Sequence, residues 1–336
     1  MSRISVTHHS IAFASWKPNF GPNFGFDNSQ PEEYPPSGKS GRVLAVRLPE
    51  LFHRHRPRKE WIGMSVGFEF SYRKDSGQIV RSAHLSGAFS NWAEGKERWL
   101  FMAPHDDDIV IGAGLTVLAG LAENVEIHAV ITTDGSMGYC DTAERGTIAG
   151  VRGRETLESF RLLGVPEENV LFLGYPDCDL NRWCGHRPAK EGDPGVIAGY
   201  LGLQNAYVHA LRKAIPTRVF LPTSADLHPD HLLAAREFMI CLFHAQGAIW
   251  PELGPPIPTV PEVYEYAVYC DFLSPPHIQI RVSDAVFDQK MRGITAYASQ
   301  KQIGALVSQL RAGGPMEYLR EMRFRFYSPL NYAALF

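Results

Sequence analysis

The segment that decides the fold runs from Trp99 to Ala122 and reads WLFMAPHDDDIVIGAGLTVLAGLA. It opens with a short apolar run, Trp99–Ala103, which predicts a buried β-strand. A polar cluster follows at 104–108. The next stretch, Ile109–Ala122, is apolar on all sides, which is typical of a buried α-helix. We therefore expect a buried strand that leads through a polar turn into a buried helix.

The same alternation of strand and helix continues along the chain. Strands separated by helices form βαβ units, so the fold class that we predict is α/β, a Rossmann-like and mostly parallel sheet with helices on both faces. In such sheets ligands bind beyond the carboxyl ends of the strands. Further strands are predicted at 125–132, 170–173, 219–221 and 265–270, and further helices at 147–163, with Gly164 as its C-cap, 205–214, 231–244 and 283–300.

The first 95 residues differ from the rest in composition and in the pattern of apolar residues. The first fifty contain six prolines and the near-repeat NFGPNFGF at 19–26, which favours irregular loop. Residues 61–72 then alternate between apolar and polar, Lys74–Gly77 is typical of a turn, and 78–85 fit a returning strand. We expect an N-terminal extension at 1–95, made of a Pro-rich loop and a β-hairpin, ahead of an α/β domain at 96–336.

Composition excludes several classes of protein. Thirty-three Lys and Arg against 36 Asp and Glu give a net charge of −3, which argues against a nucleic-acid partner. The longest uncharged apolar stretch has 14 residues, too few for a membrane span. The N-terminus does not resemble a signal peptide, and the five cysteines form no CxxC pair. We expect a reducing, cytoplasmic location, and a homo-oligomer is compatible with the sequence.

Two polar clusters follow predicted strands and precede predicted helices. The first is His105-Asp106-Asp107-Asp108, and the second, 226–231, includes His228 and His231. Adjacent carboxylates repel one another, and a divalent cation is the simplest compensation. Two His and one carboxylate are an ordinary ligand set for a catalytic metal, although Asp at a helix start also serves as an N-cap. The spacing alone permits either His228 or His231 as a ligand.

The chain resembles the LmbE-like, or PIG-L, family of N-acetylglucosaminyl deacetylases. An AHPDD-type motif after the first strand stands here at 104–108, and an HPDH-type motif after a later strand stands at 228–231. The resemblance extends from Arg98 to Gln300 and leaves the first 95 residues unmatched. It also includes Thr133-Asp134-Gly135, Arg152-Gly153-Arg154-Glu155, Leu163-Gly164-Val165, Tyr175-Pro176-Asp177 and the segment 282–300.

This resemblance implies roles for five residues. His105, Asp108 and His231 match zinc ligands, with Fe²⁺ as the alternative ion. Asp107 matches the general base that deprotonates water, and His228 matches a residue that stabilises the tetrahedral oxyanion as an imidazolium. The division between His228 and His231 rests on the resemblance.

The resemblance also implies substrate contacts and shows two departures. Arg152 and Asp177 match positions that bind substrate hydroxyls. The usual proline of the first motif is Asp106 here, which either adds negative charge near the metal or points to solvent as a turn residue. The usual acidic residue that follows the Asp pair is Ile109, whose side chain removes a hydrogen-bonding group beside the ligands.

The implied activity is a zinc-dependent hydrolase that removes an N-acyl group, in the first instance acetyl, from an amino sugar or its conjugate. The partner is therefore a small N-acetylated amino sugar or glycoconjugate. Two alternatives stay open: a catalytically degenerate metal-binding relative, and a non-haem Fe(II) oxygenase that uses two His and one carboxylate. The metal motifs do not distinguish one N-acyl sugar from another.

Overall fold

A computed structural model describes residues 67–323 and 327–335 of the chain. The NFGPNFGF segment and residues 61–66, predicted as loop and as the start of the hairpin, lie outside the described residues. The strands are β1 (Phe68–Arg73), β2 (Ile79–Ser82), β3 (Arg98–Ala103), β4 (Glu126–Thr133), β5 (Val170–Tyr175), β6 (Arg187–Pro188), β7 (Tyr200–Leu201), β8 (Arg218–Pro222), β9 (Glu262–Tyr266), β10 (Ile278–Val282) and β11 (Met316–Met322). The α-helices are α1 (Asp108–Ala122), α2 (Ile148–Leu163), α3 (Leu203–Ala214), α4 (Pro229–Gln246), α5 (Asp284–Thr295) and α6 (Ile303–Gly313).

A nine-stranded sheet organises the domain, in the order β2-β1-β10-β11-β9-β8-β3-β4-β5. The strands from β9 to β5 run parallel to one another. The other four strands pair antiparallel. Helices α1, α2 and α5 pack on one face, and α3 and α4 pack on the other. This arrangement confirms the predicted α/β class with helices on both faces.

The order of the parallel strands fixes where a ligand can bind. From β3 the chain moves outward through β4 to β5, and it then returns to place β8 and β9 on the other side of β3. Connections from β3 and β8 therefore leave the sheet toward opposite faces, which opens a crevice at their carboxyl ends. One polar cluster of the sequence follows β3, and the other follows β8.

The N-terminal hairpin extends the antiparallel edge of this sheet. β1 pairs with β2 through the turn at 74–77 and with β10 on its other side, where Phe70 lies opposite Ile280. Phe70 is buried in the same core as α1 and α5. The predicted pair of strands is confirmed over the described residues, and its apolar face packs on the domain core.

Two elements end four or five residues before the end that the sequence predicts. The strand predicted at 265–270 lies at Glu262–Tyr266, because its parallel partner β8 ends at Pro222, opposite Tyr266. The helix predicted at 283–300 ends at Thr295, and tight turns follow in which Tyr297 N–H bonds to the carbonyl of Ile294. Helix α2 ends as predicted, with Gly164 in the left-handed region at φ 99°.

Helix α1 is interrupted by a buried ion pair. Ala113 has non-helical backbone angles (φ −138°, ψ 15°). The Glu317 carboxylate accepts hydrogen bonds from the N–H groups of Leu115 and Thr116 at 2.7 and 2.9 Å. It therefore caps the start of a second helical segment. Lys290 Nζ bonds to Glu317 at 2.6 Å and to a carbonyl of the first turn. The break therefore separates the first turn of α1 from the remainder of the helix.

Within the part of the chain that the structure describes, none of the helices combines the length and the apolar character needed to cross a membrane.

Candidate active site

Three side chains from the two polar clusters converge at the crevice beside β3 and β8. His105 Nδ1 lies 3.1 Å from His231 Nε2, and Asp108 Oδ2 lies 3.4 Å from the former atom and 3.2 Å from the latter. All three side chains are buried. Loop 104–107 positions His105, the first turn of α1 positions Asp108, and the first turn of α4 positions His231. The structure thus brings together residues that are 126 positions apart.

The triangle that these three atoms form fits a metal ion. Ligands about 2.0–2.1 Å from a tetrahedral zinc are separated from one another by about 3.3–3.4 Å. The three edges of 3.1, 3.2 and 3.4 Å match that spacing. Asp108 Oδ2 is held in place by the backbone N–H of His105 at 2.8 Å, whereas its buried Oδ1 has no hydrogen-bond partner among the described residues. Two imidazoles and one carboxylate are also the donor types that zinc takes in catalytic sites.

The electrostatics of the triangle favour a positive charge at its centre. Burial opposes charge on both imidazoles, yet the Asp108 carboxylate holds the pKa of His105 well above its usual value and raises that of His231 to about 9. Burial likewise opposes charge on Asp108, but the two imidazoles hold its pKa below the usual range. The cluster therefore stabilises added positive charge, which protons or a divalent cation can supply.

Each imidazole has a carboxylate behind it. His231 Nδ1 lies 3.2 Å from Asp226 Oδ2, and His105 Nε2 lies 3.2 Å from Asp177 Oδ1 and 3.6 Å from Asp230 Oδ2. A carboxylate on the outer nitrogen of a His fixes the tautomer and orients the ring toward a metal. His105 would thus present Nδ1 and His231 would present Nε2, the same atoms that form the triangle with Asp108.

Asp107 lies at the N-cap position of α1, directly before Asp108. Its Oδ2 is 3.2 Å from Arg152 Nη2, and its side chain is 15% exposed, whereas that of Asp108 is fully buried. Burial, and then the neighbouring Asp106 carboxylate, raise the pKa of Asp107 to about 6. A partly exposed carboxylate with a pKa near neutrality, next to the triangle, is suited to accept a proton.

His228 is the N-cap of α4 and lies beside the triangle. Its ring is 4.6 Å from the His105 ring in an edge-on arrangement, and its Nδ1 accepts the N–H of Asp230 at 3.3 Å. That bond leaves the ring proton on Nε2. Burial, and then the charges of His105 and His231, lower the pKa of His228. The structure therefore favours a neutral ring with an Nε2–H donor, and the predicted imidazolium is not the form that these surroundings stabilise.

Arg152 and Asp177, the predicted substrate contacts, both lie against other site residues. Arg152 is buried and its guanidinium lies against Asp106, with Nε 2.7 Å from Oδ2 and Nη2 2.5 Å from Oδ1. Asp177 faces His105 as described above. Asp106 is 3% exposed, so the alternative in which it points to solvent is wrong. Ile109, the second departure from the family pattern, is fully buried in the apolar core.

Residues 100–242 match the family model described as PIG-L: GlcNAc-PI de-N-acetylase. This segment is a PIG-L domain. The resemblance inferred from the two motifs is thereby confirmed, and the matched residues include the triangle, Asp107 and His228. Strands β1, β2, β9, β10 and β11 lie outside the matched segment of the PIG-L domain.

Solved structures with the same fold include three from different organisms. The N,N'-diacetylchitobiose deacetylase of Pyrococcus horikoshii is 24% identical, with a TM-score of 0.53, 71% of this chain and 89% of that chain covered. A conserved protein of Thermus thermophilus is 26% identical (TM-score 0.50; 69% and 97% covered). GalB, the 4-carboxy-2-hydroxymuconate hydratase of Pseudomonas putida, is 18% identical (TM-score 0.50; 69% and 98% covered). This chain therefore shares its fold with a deacetylase and with a hydratase.

Sequence reasoning gave no role to Asp226, Asp230 or Tyr269. Asp226 and Asp230 lie inside the second motif region, where spacing could not show that they face His231 and His105. Tyr269 follows β9, beyond the PIG-L match, and its ring lies 5.0 Å from His231 and 5.9 Å from His228. No sequence signal marks Tyr269, because only the pairing of β9 with β8 brings its loop to the site.

Proposed function

We propose that this protein is a zinc-dependent N-deacetylase that removes an acetyl group from the nitrogen of an N-acetylated amino sugar or glycoconjugate. The observation that carries the proposal is the triangle of His105, Asp108 and His231, with the partly exposed Asp107 directly before Asp108. The family description of the matched segment names the same reaction type, and the Pyrococcus horikoshii relative is named as a sugar deacetylase.

In this proposal His105 Nδ1, Asp108 Oδ2 and His231 Nε2 would hold the zinc. When bound there, Zn²⁺ supplies Lewis acidity, which acidifies water and polarises an amide carbonyl. Asp226 and Asp177 keep the two imidazoles oriented through their outer nitrogens.

Asp107 is the proposed general base. Its carboxylate takes a proton from the attacking water and later gives that proton to the departing amine. The pKa of about 6 that burial and Asp106 give this carboxyl allows both steps near neutral pH. A group with a much lower pKa would accept the proton poorly, and one with a much higher pKa would release it poorly.

His228 is the proposed donor to the developing oxyanion. Because its Nδ1 accepts the Asp230 N–H, its proton resides on Nε2, and a neutral imidazole can donate that hydrogen bond. One such donor to a transition-state charge contributes about 3–4 kcal/mol. Arg152 and Asp177 remain the proposed contacts to substrate hydroxyls, in addition to their contacts with Asp106 and His105.

Acetate release from a panel of N-acetylated sugars tests the proposal. Zinc-loaded protein should release acetate and a free amine in equal amounts from at least one N-acetylglucosamine derivative, and chelator-treated protein should not. Acetate release that persists after complete metal removal would contradict the metal-dependent mechanism. Oxygen consumption with a 2-oxo acid, in place of acetate release, would identify the site as an iron oxygenase.

A further inference from the structure

Asp106 stands where the resembled family has proline, and it is bound from several sides. Both of its carboxylate oxygens accept from the Arg152 guanidinium, at 2.5 and 2.7 Å, and Oδ2 also lies 3.3 Å from the Thr156 hydroxyl. The Asp106 backbone carbonyl accepts the Tyr297 hydroxyl at 2.6 Å. Helix α2 and the turn after α5 thus fix one residue of the loop that carries the site.

The same guanidinium also reaches the proposed base. Arg152 Nη2, which bonds to Asp106 Oδ1, lies 3.2 Å from Asp107 Oδ2. Asp106 and Asp107 are adjacent carboxylates that share a single nitrogen. Because a guanidinium held through two parallel bonds cannot rotate, the position of Nη2 is set by Asp106. The Tyr297 ring lies 5.3 Å from the guanidinium carbon and supports the group from a further side.

We infer that Asp106 and Arg152 form a positioning pair that holds the Asp107 carboxylate in its working orientation. The inference rests on the proposed function of Asp107 as the general base. Asp106 is a positioning residue, since it is buried and acts through Arg152. A proline at position 106 could not make the two side-chain bonds to Arg152. The positioning pair therefore depends on the residue by which the chain departs from the motif.

A purely stabilising role explains the arrangement less well. A buried ion pair contributes little net stability, because desolvation of both groups offsets their attraction. A pair that served stability alone would also gain nothing from a second carboxylate on the same nitrogen, since Asp106 and Asp107 repel each other.

A double-mutant cycle tests the inference in the zinc-loaded, full-length protein. Asp106→Asn should lower kcat about 10- to 100-fold, because small misplacement of a catalytic group has effects of this size. The loss should persist at saturating substrate, since a change in KM would report the separate contact proposed between Arg152 and substrate hydroxyls, and zinc content should not change. In an Asp107→Asn background, Asp106→Asn should lower kcat no further, because its route to the reaction is already removed. Ser159→Ala, a buried change two turns along α2, is the control and should leave kcat unchanged.

Two results would overturn the inference: a wild-type kcat for Asp106→Asn, or the same loss in both backgrounds. Arg152→Lys, which keeps the charge and loses the fork, should reproduce the kcat loss if Asp106→Asn fails to fold. Crystal structures of the wild type and of whichever of these variants folds give a readout that does not need activity. The Asp107 side chain should change rotamer in the variant, and an unchanged rotamer would contradict the inference even if the proposed deacetylase function fails.

Discussion

The two ends of strand β3 each carry a buried group of charges, and the two groups are built differently. At the amino end, both oxygens of Glu97 are bonded. Oε2 accepts from Trp99, Thr217 and Arg218 at 2.6–3.1 Å. Oε1 accepts from the Ala93 N–H at 2.8 Å and from Arg218 at 3.1 Å. This group contains its own counter-charge and all of its hydrogen bonds.

At the carboxyl end, the group around Asp108 lacks some of the hydrogen-bond partners that the Glu97 group has. One carboxylate oxygen has no hydrogen-bond partner among the described residues, and two imidazole nitrogens lie 3.1 Å apart. Burial of charge is therefore not by itself a sign of function. The difference is that the Glu97 group is satisfied by protein atoms, whereas the Asp108 group leaves a buried oxygen unpaired among the described residues and stabilises added positive charge, from protons or from a divalent cation.

The largest expected effect comes from removing a ligand at the carboxyl end. His231→Ala should abolish stoichiometric zinc binding and lower kcat/KM by at least about 10³-fold, because the loss of a ligand removes the Lewis acid with it. Metal analysis of the purified variant and an acetate-release assay measure both. His228→Ala is the matched control and should keep its zinc; the opposite pattern would reverse the two roles.

Removing the proposed base should separate chemistry from metal binding. Asp107→Ala should lower kcat by about 10²- to 10⁴-fold, the range for a general acid–base group, with one zinc still bound. Turnover and metal content measured on the same preparation check this result. If both survive the substitution, Asp107 is not the base.

The amino end of β3 should respond in stability alone. Glu97→Gln should destabilise the protein by about 3–5 kcal/mol, because it leaves Arg218 buried without its counter-charge. Denaturant unfolding measures the loss, and the remaining folded protein should bind zinc normally. A loss of zinc in folded Glu97→Gln would show that the two groups are coupled and would contradict the expectation that Glu97 affects stability alone.

The two groups should also respond to pH with opposite signs. Burial opposes charge on Glu97, but its hydrogen bonds from Ala93, Thr217 and Arg218 hold its pKa below the usual value. Its contribution to stability is therefore present above about pH 4.5 and lost as the pH falls through the lowered pKa. In metal-free protein the pKa of His231 is raised to about 9, so its contribution is complete below about pH 6.5 and is lost as the pH rises through 9.

Unfolding of chelator-treated protein at pH 6.5 and pH 9.5 measures the second of these effects, which is on the order of 3 kcal/mol at most. Stability should fall across this interval in the wild type and should fall less in His231→Ala. Equal slopes for the two proteins would show that the Asp108 group does not stabilise added positive charge.

Much of the fold could be predicted from the sequence, because the parallel strands are short apolar runs and their helices carry local start and stop signals. Gly164 ends α2 where its sequence position indicates. The antiparallel strands β10 and β11 could not be located, since their register depends on partners far along the chain. The break in α1 could not be predicted either, because it depends on Lys290 and Glu317 rather than on any residue near Ala113.

The proposed ligands and base could be named from two motifs and the family resemblance, whereas their contacts could not. The motifs predict that His105 and Asp108 meet a histidine of the second motif, because both motifs follow strands that end at one crevice, and the resemblance selects His231. The partner of Asp106 is Arg152, 46 positions away, and no spacing rule connects the two. Likewise, the neutral form of His228 follows from one backbone N–H that the chain places beside Nδ1.

Anomalous diffraction at the zinc edge, on crystals of zinc-loaded protein, would locate the ion itself. We expect one ion per chain, about 2.0–2.2 Å from His105 Nδ1, Asp108 Oδ2 and His231 Nε2. An ion held by other residues, or no anomalous peak at this crevice, would contradict it.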